Sequence, residues 1–218
     1  MSHELLHLTA LTAKELRAAT SITLAHYDQD ANSYWQGTRD HDVSQNVEAL
    51  LRHLRGKRPF TILDFGCGPG RDLVRFRELG HEAVGLDGAE QFVQMARDHS
   101  GCEILHQDFL ALDLSSQQFD GVFANASLFH VPTQELARVL KDLSNCLKTS
   151  GVLFSSNPHG SNWEGWSDNR YCCFLQHAEW RRFMVAAGFI ELEHYYRPTG
   201  RPRQLQPWLA SIWRKLQA

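Results

Sequence analysis

From Pro59 onward the chain alternates short apolar runs with longer stretches of helical period, and this alternation restricts the fold more than any other feature of the 218 residues. Strand-like runs lie at 60–65, 82–87, 102–107, 119–124 and 151–156, and helical patterns fill about 71–79, 89–99 and 133–148 between them. Apolar runs separated by helices predict a parallel sheet with both faces covered. A further helix over 177–187 stops at Gly188, a residue suited to a helix C-terminus. Two last runs, 189–196 and 207–215, have no helix between them and predict an antiparallel hairpin at the sheet edge. Ahead of the alternation, residues 12–26 repeat apolar side chains at Leu16, Ala19, Ile22 and Leu24–Ala25, with Thr12 and Glu15 spaced as a capping box. A polar stretch with aromatics runs from Tyr27 to Gly37, and 43–55 reads as a second amphipathic helix. The expected organisation is a single α/β domain, with a helical cap at 1–58 on a core at 59–218.

Composition removes several function classes. Hydrophobic residues are 43% and charged residues 22% of the chain, ordinary values for a globular protein. No apolar run approaches the roughly 20 residues that span a bilayer, and MSHELLHLTA has no secretory pattern. With 22 basic and 25 acidic residues the formal charge is −3, which disfavours bulk nucleic-acid binding. Five cysteines without a Cys-x-x-Cys pair suggest a reducing cytosol and no zinc ribbon. Twelve histidines invite a metal reading, but neither His-Glu-x-x-His nor an Asp-rich calcium loop is present, and His3 with His7 sits at a terminus expected to fray. No metal site is expected.

The segment Phe60-Thr-Ile-Leu-Asp-Phe-Gly-Cys-Gly-Pro-Gly70 carries the chemistry. An apolar run leads to Asp64 and then to Gly66, Gly68 and Gly70, where missing side chains let a ligand lie against the backbone. The helix that follows aims its free N–H groups at the same place. A dinucleotide fingerprint would need glycine at position 71, which is arginine, and the phosphate-loop pattern is absent. The second run ends in Asp87, followed by Gly88, and a carboxylate at that strand tip can accept from both hydroxyls of a ribose. The third run leads to Asp108 and Phe109, an acid and a ring suited to an adenine. Asp108 or nearby Asp113 could equally be a cap, and Phe109 could be core. The fourth leads into NASLFHVP, residues 125–132.

Taken in order, these elements resemble the class I, Rossmann-like S-adenosylmethionine-dependent methyltransferases over about residues 27–215. The resemblance implies a doubly wound, mostly parallel seven-stranded sheet whose last strand is antiparallel. It implies S-adenosylmethionine as cofactor, bound through Asp64, Gly66, Gly68, Gly70, Asp87, Gly88, Asp108, Phe109 and Asn125. Trp35 and Arg39 are expected to close over the donor, Arg39 by a bidentate grip on a carboxylate, although TRDHD could instead be a solvated helix start. The acceptor is expected beneath 27–42, 125–130 and the long segment 157–171.

Methyl transfer is an in-line displacement dominated by alignment of two reactants. A base is needed only for a protonated acceptor, and His130 is the leading candidate, with His41 second and His159 also in a roofing segment. Trp163 and Trp166 either line the pocket or anchor it. The expected acceptor is a small molecule. The alternatives are an RNA or protein substrate, for which Arg197, Arg201, Arg203, Arg214 and Lys215 are the suggestive cluster, or cofactor binding without catalysis. Oligomeric state does not follow from the sequence.

Overall fold

A computed structural model describes residues 10–216. His3 and His7 lie outside the described residues. Helix α1 (Ala13–Gln29) begins with the capping box: the Thr12 side chain accepts from the Glu15 N–H while the Glu15 carboxylate accepts from the Thr12 N–H at 2.8 Å. Helices α2 (Ala31–Thr38) and α3 (Ser44–Leu51) follow. The aromatic stretch at 27–37 is therefore helical; tilted packing of Tyr34 against Phe92 and stacking of Trp35 on His99 hold α2, where sequence period is weak.

The strands are β1 (Thr61–Phe65), β2 (Glu82–Asp87), β3 (Glu103–His106), β4 (Phe119–Asn125), β5 (Leu147–Pro158), β8 (Phe189–Arg197) and β9 (Trp208–Lys215), in the sheet order β3-β2-β1-β4-β5-β9-β8. Pairing from β3 through β5 is parallel, and β9 inserts between β5 and β8 antiparallel to both. Helices α4 (Arg71–Glu78), α5 (Glu90–Ser100), α6 (Thr133–Cys146) and α7 (His177–Ala186) connect them. The expected seven-stranded sheet and its hairpin are present, with the hairpin's second strand, not its first, meeting β5. Strand β5 begins at Leu147, directly after α6, so the helix is shorter and the strand longer than the sequence suggested.

Both faces of the sheet are buried, and successive residues feed opposite cores. Leu63, Phe65, Val122 and Leu153 pack with Leu136, Leu140 and Leu143 of α6 and Trp180 and Met184 of α7. Ile62, Phe123, Val152 and Phe154 pack with Val47 and Leu50 of α3 and Phe76 of α4. Leu73 of α4 meets Val93 and Ala96 of α5 over Ile104. Period two with apolar groups on both faces explains why these strands read as continuous apolar runs.

A smaller sheet, β6 (Trp163–Ser167) with β7 (Arg170–Phe174), occupies the segment expected as loop. Its two-residue turn places Asp168 at φ 47° and Asn169 at φ 61°, the left-handed pair that suits strand twist. Among the described residues no helix is long and apolar enough to cross a membrane.

Candidate active site

Strand β1 ends in a turn rather than continuing because Gly66 adopts φ 76°. A Cβ there would lie 2.3 Å from the Ser127 Cβ, so only glycine fits. The Gly66 N–H donates to Leu86 O at 2.8 Å, and the Gly68 N–H donates to the Asp87 carboxylate at 2.9 Å. The loop from β1 is thereby laced to the tip of β2. Gly70 caps α4 at φ 92° and packs on α5, where an added Cβ would come within 2.9 Å of the Ala96 backbone.

Asp87 is buried and also accepts from the Ala89 N–H at 3.0 Å. Burial raises its pKa to about 6 despite those backbone hydrogen bonds, because no cation compensates the lost hydration. Asp64 is buried too, and its Oδ2 has no partner. Burial first, then the charge of Asp72, holds its carboxyl well above the usual range. Asp64 lies behind the glycine turn and lines neither of the adjoining cavities.

Two cavities meet here. The first, about 70 Å³, is lined by Gly66, Gly68, Asp87, Gly88, Asp108 and Phe109, with Thr20, Thr23, Leu24 and Tyr27 of α1 among the residues of its other walls. Phe109 stacks on Phe65 at 4.2 Å, and Asp108 accepts from the Leu110 N–H, so both are fixed in place. The second, about 540 Å³, is lined by His41, Arg71, Asn125, Arg170 and Arg197 among others. Tyr27, Tyr34 and Ala126 line both cavities.

Several expected residues sit elsewhere. Trp35 stacks on His99 at 4.6 Å, and Arg39 turns outward to Asp40 at 3.3 Å; neither is among the residues lining the two cavities. Tyr34 and Arg71 occupy those places instead. Arg71 is aimed by Asp72 through bonds of 2.7 and 3.0 Å and donates to Thr38 O. Asp72 in turn accepts from Asn125, Asn125 from Asn46, and Asn46 from Tyr195, a chain that meets the second cavity at Asn125. Asn125 thus belongs to the wider cavity. His159 packs edge-on to Tyr196, and Trp163 stacks on Phe174, an anchor rather than a lining. Arg197 and Arg214 lie at opposite ends of the β8–β9 ladder, so the expected basic cluster is not one patch.

Both ring nitrogens of His130 are engaged. Nδ1 faces Tyr171 O at 2.9 Å, a carbonyl that only accepts, so Nδ1 carries the proton and Nε2 accepts from the Tyr27 hydroxyl at 2.7 Å. Burial lowers its pKa to about 4, which keeps the ring neutral. The contribution of α1 was not evident in the sequence. Ile22, expected in the apolar stripe, is exposed, while Thr23 is buried and accepts from the Tyr171 N–H. The helix roofs a cavity with hydroxyls as well as packing a core, so an apolar period misplaces its inner face.

A methyltransferase-domain family model matches residues 62–151. The malonyl-[acyl-carrier protein] O-methyltransferase of Erwinia pyrifoliae is 34% identical over 116 residues, 52% of this chain and 44% of that one. Its counterpart from Salmonella typhimurium is 31% identical over 147 residues, 67% and 54% of the two chains. The chain spans about half the length of the curated relatives it matches. In fold, it is similar to the crystal structure of 1,6-didemethyltoxoflavin-N1-methyltransferase from Burkholderia thailandensis, with bound 1,6-didemethyltoxoflavin and S-adenosylhomocysteine. The TM-score is 0.75 at 22% identity, covering 96% and 93% of the chains. With its glycine loop and these matches, residues 62–151 form a methyltransferase domain, carried on a seven-stranded fold similar to that of a solved methyltransferase that binds S-adenosylhomocysteine.

Proposed function

We propose that the chain methylates a small-molecule acceptor held in the wider cavity, with S-adenosylmethionine held in the narrower one. The observation that carries this reading is the wall of Tyr27, Tyr34 and Ala126 common to both cavities, which puts two bound reactants side by side. Malonyl-[acyl-carrier protein] and ubiquinone-biosynthesis O-methyltransferases among the relatives support a metabolite acceptor.

The residues fit the donor along its length. Phe109, Leu110 and Asp108 suit the adenine. Asp87 spends two carboxylate lone pairs on Gly68 and Ala89 and keeps the others for the ribose hydroxyls. The unpartnered Asp64 oxygen and the guanidinium of Arg71 offer opposite charges to the ammonium and carboxylate of the amino-acid tail. When bound, the donor supplies a methyl group on a positively charged sulfur. The protein's own task is alignment and exclusion of water, contributions worth up to about 7–11 kcal/mol in well-oriented reactions. For a protonated acceptor, Tyr27 is the group that faces it. Its hydroxyl passes a proton to His130 Nε2 as it takes one, so His130 serves as base through Tyr27.

Calorimetry with S-adenosylhomocysteine tests the donor assignment. Asp87→Ala is expected to weaken binding at least tenfold, since bonds to a charged acceptor contribute about 1.5–3 kcal/mol each. Unchanged affinity would remove Asp87 from the site.

A further inference from the structure

Charge in the wider cavity does not balance. Three arginines line it, Arg71, Arg170 and Arg197, against one carboxylate, that of Asp42. Arg71 is held in place by Asp72 and the Thr38 carbonyl and is assigned to the donor's carboxylate. The Asp42 carboxylate is spent at the start of α3, where it accepts from the Ser44 N–H and hydroxyl at 2.9 and 2.6 Å. The other two guanidiniums have polar contacts but no close carboxylate: Arg170 reaches the Tyr27 hydroxyl, and Arg197 reaches the Asp42 carbonyl.

Arg170 is the more telling. The Asp168–Asn169 turn reverses the β6–β7 hairpin so that Arg170 enters β7 with its side chain on the cavity wall. Its Nε is buried and has no hydrogen-bond partner, and its nearest carboxylate, Asp168, stands 3.9 Å away and is 85% exposed. Arg197 closes β8 and donates to Asp42 O at 3.0 Å, with no carboxylate within 4.0 Å among the described residues. Val43, Phe129, Pro198 and Trp208 supply apolar wall around them. In a chain of net charge −3 this local excess is not a reflection of bulk composition. A guanidinium is a planar fork that pairs with oxyanions, and a buried donor without an acceptor is costly unless a ligand supplies one.

We infer that Arg170, with Arg197, forms an anion subsite that binds the methyl acceptor by a carboxylate or phosphate group attached to an apolar body. This rests on the methyltransferase reading, and it narrows the substrate class to anionic metabolites. The donor tail has Asp64 and Arg71 and does not need Arg170.

The test uses the full chain saturated with S-adenosylhomocysteine and titrated with benzoate, phenyl phosphate and uncharged benzamide. An oxyanion is expected to bind at least tenfold more tightly than benzamide, and the tighter of the two oxyanions assigns carboxylate or phosphate. R170Q should bring benzoate, phenyl phosphate and benzamide within threefold of one another, and R197Q should narrow the gap independently should R170Q fold poorly. S-adenosylhomocysteine affinity should stay within threefold in both variants. The inference is overturned by equal binding of benzamide and the oxyanions, by no saturable oxyanion binding, or by discrimination that survives both substitutions. A tenfold loss of S-adenosylhomocysteine in R170Q would also overturn it, by giving Arg170 to the donor. Failure of the unaltered chain to bind S-adenosylhomocysteine at all would instead sink the methyltransferase reading, and the oxyanion comparison then applies to the free protein.

Discussion

Asp87 gives the donor site a pH dependence whose size follows from its burial. The free carboxyl titrates near pH 6 rather than near 4, because it is enclosed and has only backbone N–H groups for company. Ribose hydroxyls donate to the charged form, so binding draws on the ionised fraction, about nine tenths at pH 7 and about one tenth at pH 5 for a pKa of about 6. The dissociation constant of a ribose-bearing ligand should therefore rise about tenfold between pH 7 and pH 5. Methylthioadenosine is the probe to use, because it keeps the ribose and lacks the amino-acid tail that Asp64 would serve. S-adenosylhomocysteine should show a steeper dependence, since the Asp64 carboxyl is also held above its usual range and must ionise to meet an ammonium. The sign for stability is opposite. A carboxyl whose pKa is raised by folding destabilises the free protein as pH climbs from about 4 through about 6, by about 3 kcal/mol in total, and ligand returns part of that. Calorimetric titrations at pH 5, 6 and 7.5, with Asp87→Asn as the flat control, decide the matter. A dissociation constant for methylthioadenosine that is level from pH 5 to 7.5 would refute the assignment of Asp87 to the ribose.

Other expectations follow from single contacts. Gly66→Ala should destabilise the fold by more than about 1 kcal/mol and abolish donor binding, since its Cβ would meet Ser127 at 2.3 Å in a left-handed backbone; thermal melts and calorimetry read both effects. His130 is held neutral by burial, with a pKa near 4 against about 6.5 unfolded, so the protein should lose about 3 kcal/mol as pH falls through that window. His130→Gln should flatten this acid limb in urea titrations. Ser211→Ala would strand the indole N–H groups of Trp180 and Trp213, which donate to Ser211 Oγ at 3.0 and 2.8 Å, and should cost about 2–4 kcal/mol in denaturant midpoint analysis.

The parts of the molecule legible in the sequence are those where one local rule acts alone. Asp64-x-Gly-x-Gly-x-Gly marks its own turn because Gly66 and Gly70 are positions no other residue can hold, and the doubly buried strands announce themselves as apolar runs. The hairpin β6–β7 is not legible, because its turn is Asp168–Asn169 without glycine and its strands carry glycine and tryptophan in a pattern that resembles a loop. Helix α1 is found but misoriented, since Thr20, Thr23 and Tyr27 are chosen for a cavity rather than for hydrophobicity. Arg39 is the grip the sequence suggests, and Arg71 carries no such signal: Asp72 and the Thr38 carbonyl hold Arg71 on the cavity wall, while Arg39 turns to the surface. Arg170 carried no signal at all: what marks it is an unpaired atom, and pairing is a tertiary property.

The place of β9 has a bearing on how this protein is made. Residues 208–215 fill the gap between β5 and β8, so until they emerge from the ribosome the sheet is two pieces, one ending at a bare β5 and one a lone β8. The bare edge belongs to a strand bearing Leu153 and Phe154, and an uncovered apolar edge is a template for another chain. Trp213, wholly buried, arrives with the strand that closes it. A premature stop in the β8–β9 connection would therefore yield a sticky product rather than a slightly weakened enzyme, and the interval between synthesis of β5 and β9 is when the nascent chain most needs a chaperone.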